Sequence, residues 1–504
     1  MPSSPVPASR LVIVSNRLPV VVRRADGEWI TQGGSGGLVS ALDPVLRDGG
    51  GVWIGWPGAA DEGLEPSDRR RWGELLTAAG AERGYRFVPV MLSAQQIREF
   101  YGGFANEVLW PLFHNLDERC VFEPTYWRGY VEANARFADV IAAWTSHDDF
   151  VWVHDYQLIM VGRHLRQHDA ERSIGFFLHI PFPSLESFLK LPWRAEILLA
   201  LLDYDLVGFQ TERDRYSFLD CVERLVPGAA VSFGDDGFAE IALDRGVTRV
   251  GVFPIGIDFS LVESHARSSG VDAALQRLRA DIGKRALILG VDRLDYTKGI
   301  PERLLAYQHL LSDAPELRER VTLLQIVEPS REMVPEYQVL KERIDRLVGA
   351  INGDFGTPGW VPIRYLYRSV GWPDLLALYR MARVALVTPL KDGMNLVAKE
   401  FCACQIDEPG VLVLSEFAGA AAQLHEHAFL VNPYDVEGAA RALQQALMLD
   451  LGARQARMAA LRRIVAESDV FWWTRLFLDT ARGTLDELPP VSEFVPNLER
   501  EAAG

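Results

Sequence analysis

Short apolar runs alternate with longer amphipathic stretches along almost the whole chain. This alternation narrows the fold more than any other feature. The runs are Leu11–Ser15, Gly51–Ile54, Phe87–Val90, Phe150–His154, Ile174–His179, Leu206–Phe209 and Arg249–Phe253, then Ala286–Val291, Thr322–Ile326, Ile363–Leu366, Val384–Val387 and Gly410–Leu414. Between them lie helical patterns such as Pro301–Leu311 and Glu336–Leu347. Buried strands alternating with helices predict an α/β protein whose parallel sheets are covered on both faces. At 504 residues the chain is long enough for more than one domain, most simply two of roughly 250. The break is expected at Phe253-Pro254-Ile255-Gly256-Ile257-Asp258, where Pro and Gly punctuate a strand exit. Doubly wound domains bind ligands at the C-terminal ends of their strands, here in the cleft between domains. The stretch Val470–Leu478, with Phe471, Trp472 and Trp473, is too aromatic for a free tail and is expected to pack back onto the protein.

A hydrophobic fraction of 48% supplies ample core, with no run long enough for a transmembrane helix. The start, MPSSPVPASR, lacks the apolar core of a signal peptide. Cys120, Cys221, Cys402 and Cys404 form neither a disulfide framework nor a zinc set, and read as core residues in a reducing cytosol. The net charge of −16 argues against nucleic acid and anionic membranes as partners. It also means that any phosphorylated ligand must be held by local Arg and Lys against the global field.

Several segments suit such a ligand. In LVTPLKDGMNLVAKEF (386–401), a buried strand leads through a turn to Asp392-Gly393-Met394-Asn395, which opens a helix carrying Glu400. Backbone N–H groups at a helix start attract anions, and the two carboxylates can accept bonds from sugar hydroxyls. An acidic N-cap before a solvated helix face is the plainer reading. In Val291-Asp292-Arg293-Leu294-Asp295-Tyr296-Thr297-Lys298-Gly299, Arg293 and Lys298 follow an apolar strand and can clamp a diphosphate. Surface pairing with Asp292 and Asp295 is the alternative. Arg17 ends the first strand, and Gly33-Gly34-Ser35-Gly36-Gly37 lets backbone approach a ligand. His154, Asp155 and His179 lie at consecutive strand ends. Asp155 and His179 are the site candidates, while His154 reads as a structural hydrogen-bond partner. Tyr101 and Trp110 sit in YGGFANEVLWPLFH, expected as a loop-rich aromatic segment, and Arg331 follows another strand. Asp392 and Glu400 could imitate a glycosidase pair, but a hydrolase has no use for a strand-end Arg–Lys clamp.

Taken together, SNRLP, SGGL, LWPLFH, WVHDYQL, GFFLHIPFP, DLVGFQT, VFPIGID, RLDYTKG, PSR and DGMNLVAKE, in this order, resemble the trehalose-6-phosphate synthases of glycosyltransferase family 20. The resemblance implies a GT-B fold, with two Rossmann-like doubly wound domains and the active site in the cleft between them. Residues 1–255 would bind the acceptor and 256–469 the nucleotide sugar, with a C-terminal helix at about 470–488 returning to the first domain. It further implies retaining transfer of glucose from UDP- or ADP-glucose to glucose-6-phosphate, giving α,α-trehalose-6-phosphate, with no metal or other cofactor.

By the same resemblance, Arg293 and Lys298 would hold the donor diphosphate and stabilise its departure, and Gly36 and Gly37 would approach its phosphates. Asp392 with the backbone of Gly393, Met394, Asn395 and Leu396 would hold donor glucose and phosphates. Glu400 would hold the ribose, the backbone near Val370 the base, and His179 the donor glucose. Arg17, Tyr101, Asp155 and Arg331 would bind glucose-6-phosphate, and Trp110 would shape that pocket. Asp292 and Thr297 stand where the family commonly has Glu and Ser. A cytoplasmic homotetramer is expected, with a separate trehalose-6-phosphate phosphatase acting downstream. The alternative is a non-catalytic sugar-phosphate sensor, although such homologues usually lose clamp or acceptor residues and none is missing here.

Overall fold

The structure is a computed structural model, and it describes residues 10–34, 37–234, 237–330, 335–406 and 409–485. The chain forms two compact units. Among the described residues, one contains the chain up to Phe253 together with residues 473–485, and the other runs from Pro254 to Trp472.

The first unit holds β1 (Leu11–Arg17), β2 (Val20–Ala25), β3 (Glu28–Gly33), β4 (Val52–Trp56), β5 (Arg86–Pro89), β6 (Phe150–His154), β7 (Ile174–Phe177), β8 (Leu206–Phe209), β9 (Ala230–Phe233), β10 (Ala239–Leu243) and β11 (Gly246–Val252). Nine of them form one sheet in the order β5-β4-β1-β6-β7-β8-β11-β10-β9. It is parallel from β5 through β11, and β10 and β9 continue it antiparallel. Central strands covered on both faces need apolar residues throughout, and Val12, Ile13 and Val14 of β1 are fully buried. β2 and β3 form a separate antiparallel hairpin that the apolar pattern did not announce. Its turn is Asp26-Gly27 at φ +49° and +85°, the left-handed pair that suits a two-residue hairpin.

Contrary to the loop-rich expectation, the segment from Tyr101 to Phe113 is helical. Ile97–Leu109 winds as a wide π-helix, and Trp110–Phe113 continues it in α geometry. The pair Gly102-Gly103 reads as a breaker, but an ideal Cβ on Gly103 would lie 2.5 Å from the Tyr126 ring, so the glycine admits helix-to-helix contact. The Asn106 side chain donates to the Tyr101 carbonyl oxygen (2.7 Å) within the wide turns.

The aromatic stretch near the C-terminus forms a helix, Val470–Ala481. Its Phe477 ring stacks on Trp152 of β6, with centroids 4.3 Å apart and planes at 11°. Gly175 of β7 and Gly208 of β8 leave the room, since a Cβ on either would lie 2.9 Å from Phe477.

The second unit has one sheet of six parallel strands: β12 (Ala286–Arg293), β13 (Val321–Glu328), β14 (Ile363–Tyr367), β15 (Val384–Val387), β16 (Val411–Ser415) and β17 (Phe429–Val431). Their order is β14-β13-β12-β15-β16-β17. Chain progression therefore reverses between β12 and β15, and in the first unit between β1 and β6. Such switch points open a crevice at the strands' C-terminal ends. Cys221, Cys402 and Cys404 are buried and Cys120 half-buried, all unbridged. Among the described residues, no helix is long and apolar enough to cross a membrane.

Candidate active site

In the first unit the switch point is lined by the ends of β1 and β6. β1 pairs with β4 in register until Val14, then slips before Arg17 meets Trp56. Ser15 holds this irregularity. Its hydroxyl accepts from Trp53 Nε1 (2.7 Å) and donates to the Arg17 carbonyl (2.7 Å). Such a slip re-aims a side chain. The exposed Arg17 guanidinium lies over two rings, 4.9 Å from Trp56 and 5.1 Å from Tyr101. Cation–π contact orients an arginine without consuming its N–H groups. Trp56 was not singled out in the sequence; its signal is an aromatic residue ending a strand beside Arg17.

At the end of β6, Asp155 adopts φ +77° and ψ 166°, a conformation otherwise reserved for glycine. Neighbours hold it there. Its N–H donates to the Phe177 carbonyl (2.8 Å), and its Oδ1 accepts from the His179 backbone N–H (3.1 Å). Asp155 and His179 are thus brought together. Trp110 is buried, its ring 5.6 Å from that of Tyr156. The Tyr156 hydroxyl donates to Asn106 Oδ1 (3.0 Å), and Asn106 in turn holds the Tyr101 carbonyl. A polar relay therefore joins the π-helix to the residue after Asp155. His154 Nδ1 lies 3.1 Å from His179 Nε2. Burial pushes the His179 imidazole down to about 3 and holds His154 well below its ordinary value, so both rings are neutral at physiological pH.

In the second unit the switch point lies between β12 and β15. Arg293 ends β12 exposed, with no hydrogen bond or ion pair among the described residues. The neighbouring carboxylates are engaged elsewhere. Asp292 is buried against Arg303, whose guanidinium also donates to Gln325 Oε1 (3.2 Å), Thr388 Oγ1 (3.1 Å) and the Lys298 carbonyl (3.3 Å). Asp295 accepts from the Thr297 N–H and hydroxyl, both at 3.0 Å, and closes the turn. Neither Asp neutralises Arg293, so the surface-pairing alternative does not describe this loop. Arg303 was missed because a lone arginine in a helical pattern reads as surface.

Lys298 pairs instead with Asp392, Nζ to Oδ2 at 2.5 Å. Asn395 Nδ2 donates to the same oxygen (3.0 Å). Asn395 sits at φ +79°, and no side chain caps the Leu396–Cys404 helix that it begins. Its first N–H groups are therefore available to an anion. The turn before it is clamped: Gly419 N–H donates to the Asp392 carbonyl (3.0 Å) and Ala420 N–H to that of Met394 (2.8 Å). A Cβ on Gly419 would lie 1.8 Å from the Gly393 oxygen.

Farther along that helix, Glu400 Oε2 accepts from the Tyr379 hydroxyl (3.2 Å), and burial raises its carboxyl to about 7. The buried Lys399 donates to Ile255 O and Gln423 Oε1, both at 2.7 Å, and burial lowers it to about 7. Val370 is half-buried just after β14, and Gly37 begins the Gly37–Gly49 helix. Gly36 and Arg331 lie outside the described residues. Among the described residues no cluster of His, Cys, Asp or Glu is arranged to hold a metal ion.

The model of glycosyltransferase family 20 matches residues 9–482. The chain is 44% identical over 474 residues to a trehalose-6-phosphate synthase of Mycolicibacterium vanbaalenii, covering 93% of this chain and 95% of that protein. It is similar to the crystal structure of an alpha,alpha-trehalose-phosphate synthase (UDP-forming) from Burkholderia xenovorans in complex with glucose-6-phosphate, with a TM-score of 0.85, 34% identity and coverage of 94% and 100% of the two chains. A structure from E. coli bound with UDP-2-fluoro glucose matches with a TM-score of 0.83 at 36% identity, covering 96% and 100%. The two doubly wound units are those of a GT-B enzyme, and the chain belongs to glycosyltransferase family 20.

Proposed function

We propose that this enzyme is a retaining glucosyltransferase that moves glucose from UDP-glucose, or ADP-glucose, to glucose-6-phosphate, forming α,α-trehalose-6-phosphate and the nucleoside diphosphate. The observation that carries the donor side is the β12–β15 switch point. There an unneutralised Arg293 and the Lys298–Asp392 pair stand beside an uncapped helix start. That set matches a sugar diphosphate: cations and N–H groups for the phosphates, and carboxylates for hydroxyls. The relatives' names and the ligands in the two similar structures support the same reading.

In this mechanism the bond from the glucose anomeric carbon to the diphosphate oxygen breaks as the acceptor hydroxyl oxygen attacks from the same face. The acceptor proton passes to the departing phosphate oxygen. Arg293 and Lys298 stabilise the charge that develops there. Asp392 already accepts from Lys298 and Asn395, which suits a hydroxyl-orienting role better than that of a free nucleophile. Arg17, lying over the Trp56 and Tyr101 rings, would take the acceptor phosphate, with Asp155 on the acceptor sugar, Trp110 shaping its pocket and Arg331 as the second phosphate ligand. Gly36 and Gly37 would approach the donor phosphates, and backbone near Val370 the base.

The test is release of UDP or ADP from the two donors, with and without glucose-6-phosphate. The expected result is release that requires glucose-6-phosphate and yields trehalose-6-phosphate. Thermal stabilisation by glucose-6-phosphate without any release would replace this reading with the sensor alternative.

A further inference from the structure

The mechanism assigns nothing to His154, yet this residue is fully buried and its Nδ1 meets His179 Nε2 at 3.1 Å. Burial keeps both imidazoles neutral, so each ring carries one proton and the shared contact uses one of the two. Two arrangements are possible. In one, His179 Nε2–H donates to His154 Nδ1, and the His154 proton sits on its own Nε2. That atom is buried and has no hydrogen-bond partner among the described residues. Its ring lies against Trp152 (centroids 4.6 Å apart) and near Trp473 (6.3 Å). The arrangement therefore strands a donor in an aromatic core. In the other, His154 Nδ1–H donates to His179 Nε2, and only an unprotonated nitrogen is left without a partner. Buried orphan donors are the rarer and costlier defect, which favours the second arrangement.

We propose that His154 is a positioning residue: by donating its Nδ1 proton to His179 Nε2, it fixes His179 as the Nδ1–H tautomer and makes it a hydrogen-bond donor to the substrate's hydroxyl oxygen. The consequence for turnover rests on the proposed function and on His179 facing the donor glucose, the role that the family resemblance implies for it. The proton placement itself does not. The His179 main chain is held as well, through its backbone N–H to Asp155 Oδ1 (3.1 Å), so the ring is presented from a fixed backbone and the bond to His154 sets its tautomer.

Nitrogen-15 NMR of the histidine-labelled full-length protein, assigned with His179→Ala and His154→Asn, reads the proton placement directly. The expected spectrum shows His179 with unprotonated Nε2 and protonated Nδ1; the opposite tautomer overturns the proposal. Kinetics supply the second readout. His154→Asn retains an N–H donor near the Nδ1 position and is expected to stay within about threefold of wild-type kcat. His154→Phe fills the space without a donor and is expected to lose about tenfold in kcat, the scale of one hydrogen bond. Equal losses in the two variants, at matched thermal stability, would reduce His154 to a packing residue. Absence of glucosyl transfer by the wild type would instead remove the functional reading, and a fully active His179→Ala would remove the His179 role. The spectrum still decides the tautomer in both cases.

Discussion

At the residue scale, the candidate site is distinguished by which charges are satisfied and which are left open. Asp292, Asp295 and Arg303 are consumed in buried bonds, and that is why Arg293 stands exposed without a neutralising carboxylate. Arg293→Ala is expected to lower kcat on the order of a hundredfold, the scale of removing one donor from a developing oxyanion. Steady-state kinetics at saturating substrates check this, and near-normal turnover would discard the role. Glu400 gives a pH signature. Its carboxyl, raised to about 7 by burial, is neutral on the acid side and ionised on the alkaline side. Only the ionised form would accept charge-assisted bonds from the ribose hydroxyls, the contact that the family resemblance implies for Glu400. UDP affinity should therefore rise several-fold between about pH 6 and about pH 8, on the order of 1 kcal/mol. Calorimetry on wild type and Glu400→Gln isolates the effect, because titration of the nucleotide's own phosphate is common to both. Parallel profiles would show that Glu400 does not titrate in contact with the nucleotide.

At the element scale, geometry rests on contacts that a side chain would abolish. The Asp392–Asn395 turn is held by two backbone bonds to the Gly419–Ala420 segment, and Gly419 has no room for a Cβ beside Gly393. Gly419→Ala must push that turn away, at a cost of about 1–3 kcal/mol in stability. It should lower kcat/KM for UDP-glucose at least tenfold while leaving the calorimetric affinity for glucose-6-phosphate unchanged. An equal loss for both ligands would mean general unfolding instead of a displaced turn. The strands themselves were legible, since each of the predicted apolar runs overlaps an observed strand. The elements that escaped were β2, β3, β9, β10 and β17, and the π-helix around Tyr101. The escaped strands are short, half-exposed or charged, so they lack the continuous apolar signature. The π-helix was masked by Gly102-Gly103, of which Gly103 makes room for the Tyr126 ring of the Pro124–Trp144 helix.

At the scale of the whole molecule, the chain ends its second unit by sending a helix back to the first unit's sheet. Phe477 stacks on Trp152 and sits over Gly175 and Gly208. Phe477→Ala leaves a cavity lined by aromatic residues and is expected to destabilise the first unit by about 3–5 kcal/mol. Urea unfolding followed by tryptophan fluorescence measures this. A change below about 1 kcal/mol would show that the sheet tolerates the loss by collapse. The net charge of −16 belongs to this scale too. Its field repels phosphorylated ligands, and the local exceptions, Arg17, Arg293 and Lys298, all lie at or just after the ends of switch-point strands.

The sequence by itself determined the fold class and the enzyme family, because apolar periodicity and strand-end motifs are local. A buried parallel strand must be apolar along its length, and a phosphate-binding turn needs its glycines and cations within a few residues. What only the tertiary structure decided is how those groups pair. Lys298 meets Asp392 across 94 positions, and His154 meets His179 across 25. Trp56 reaches Arg17 through strand register, and Arg303 draws Asp292 away from Arg293. Coulomb and hydrogen-bond energies depend on distance in space and on burial, which a linear spacing does not contain. Folding brought the charges together, and burial decided which of them stayed open.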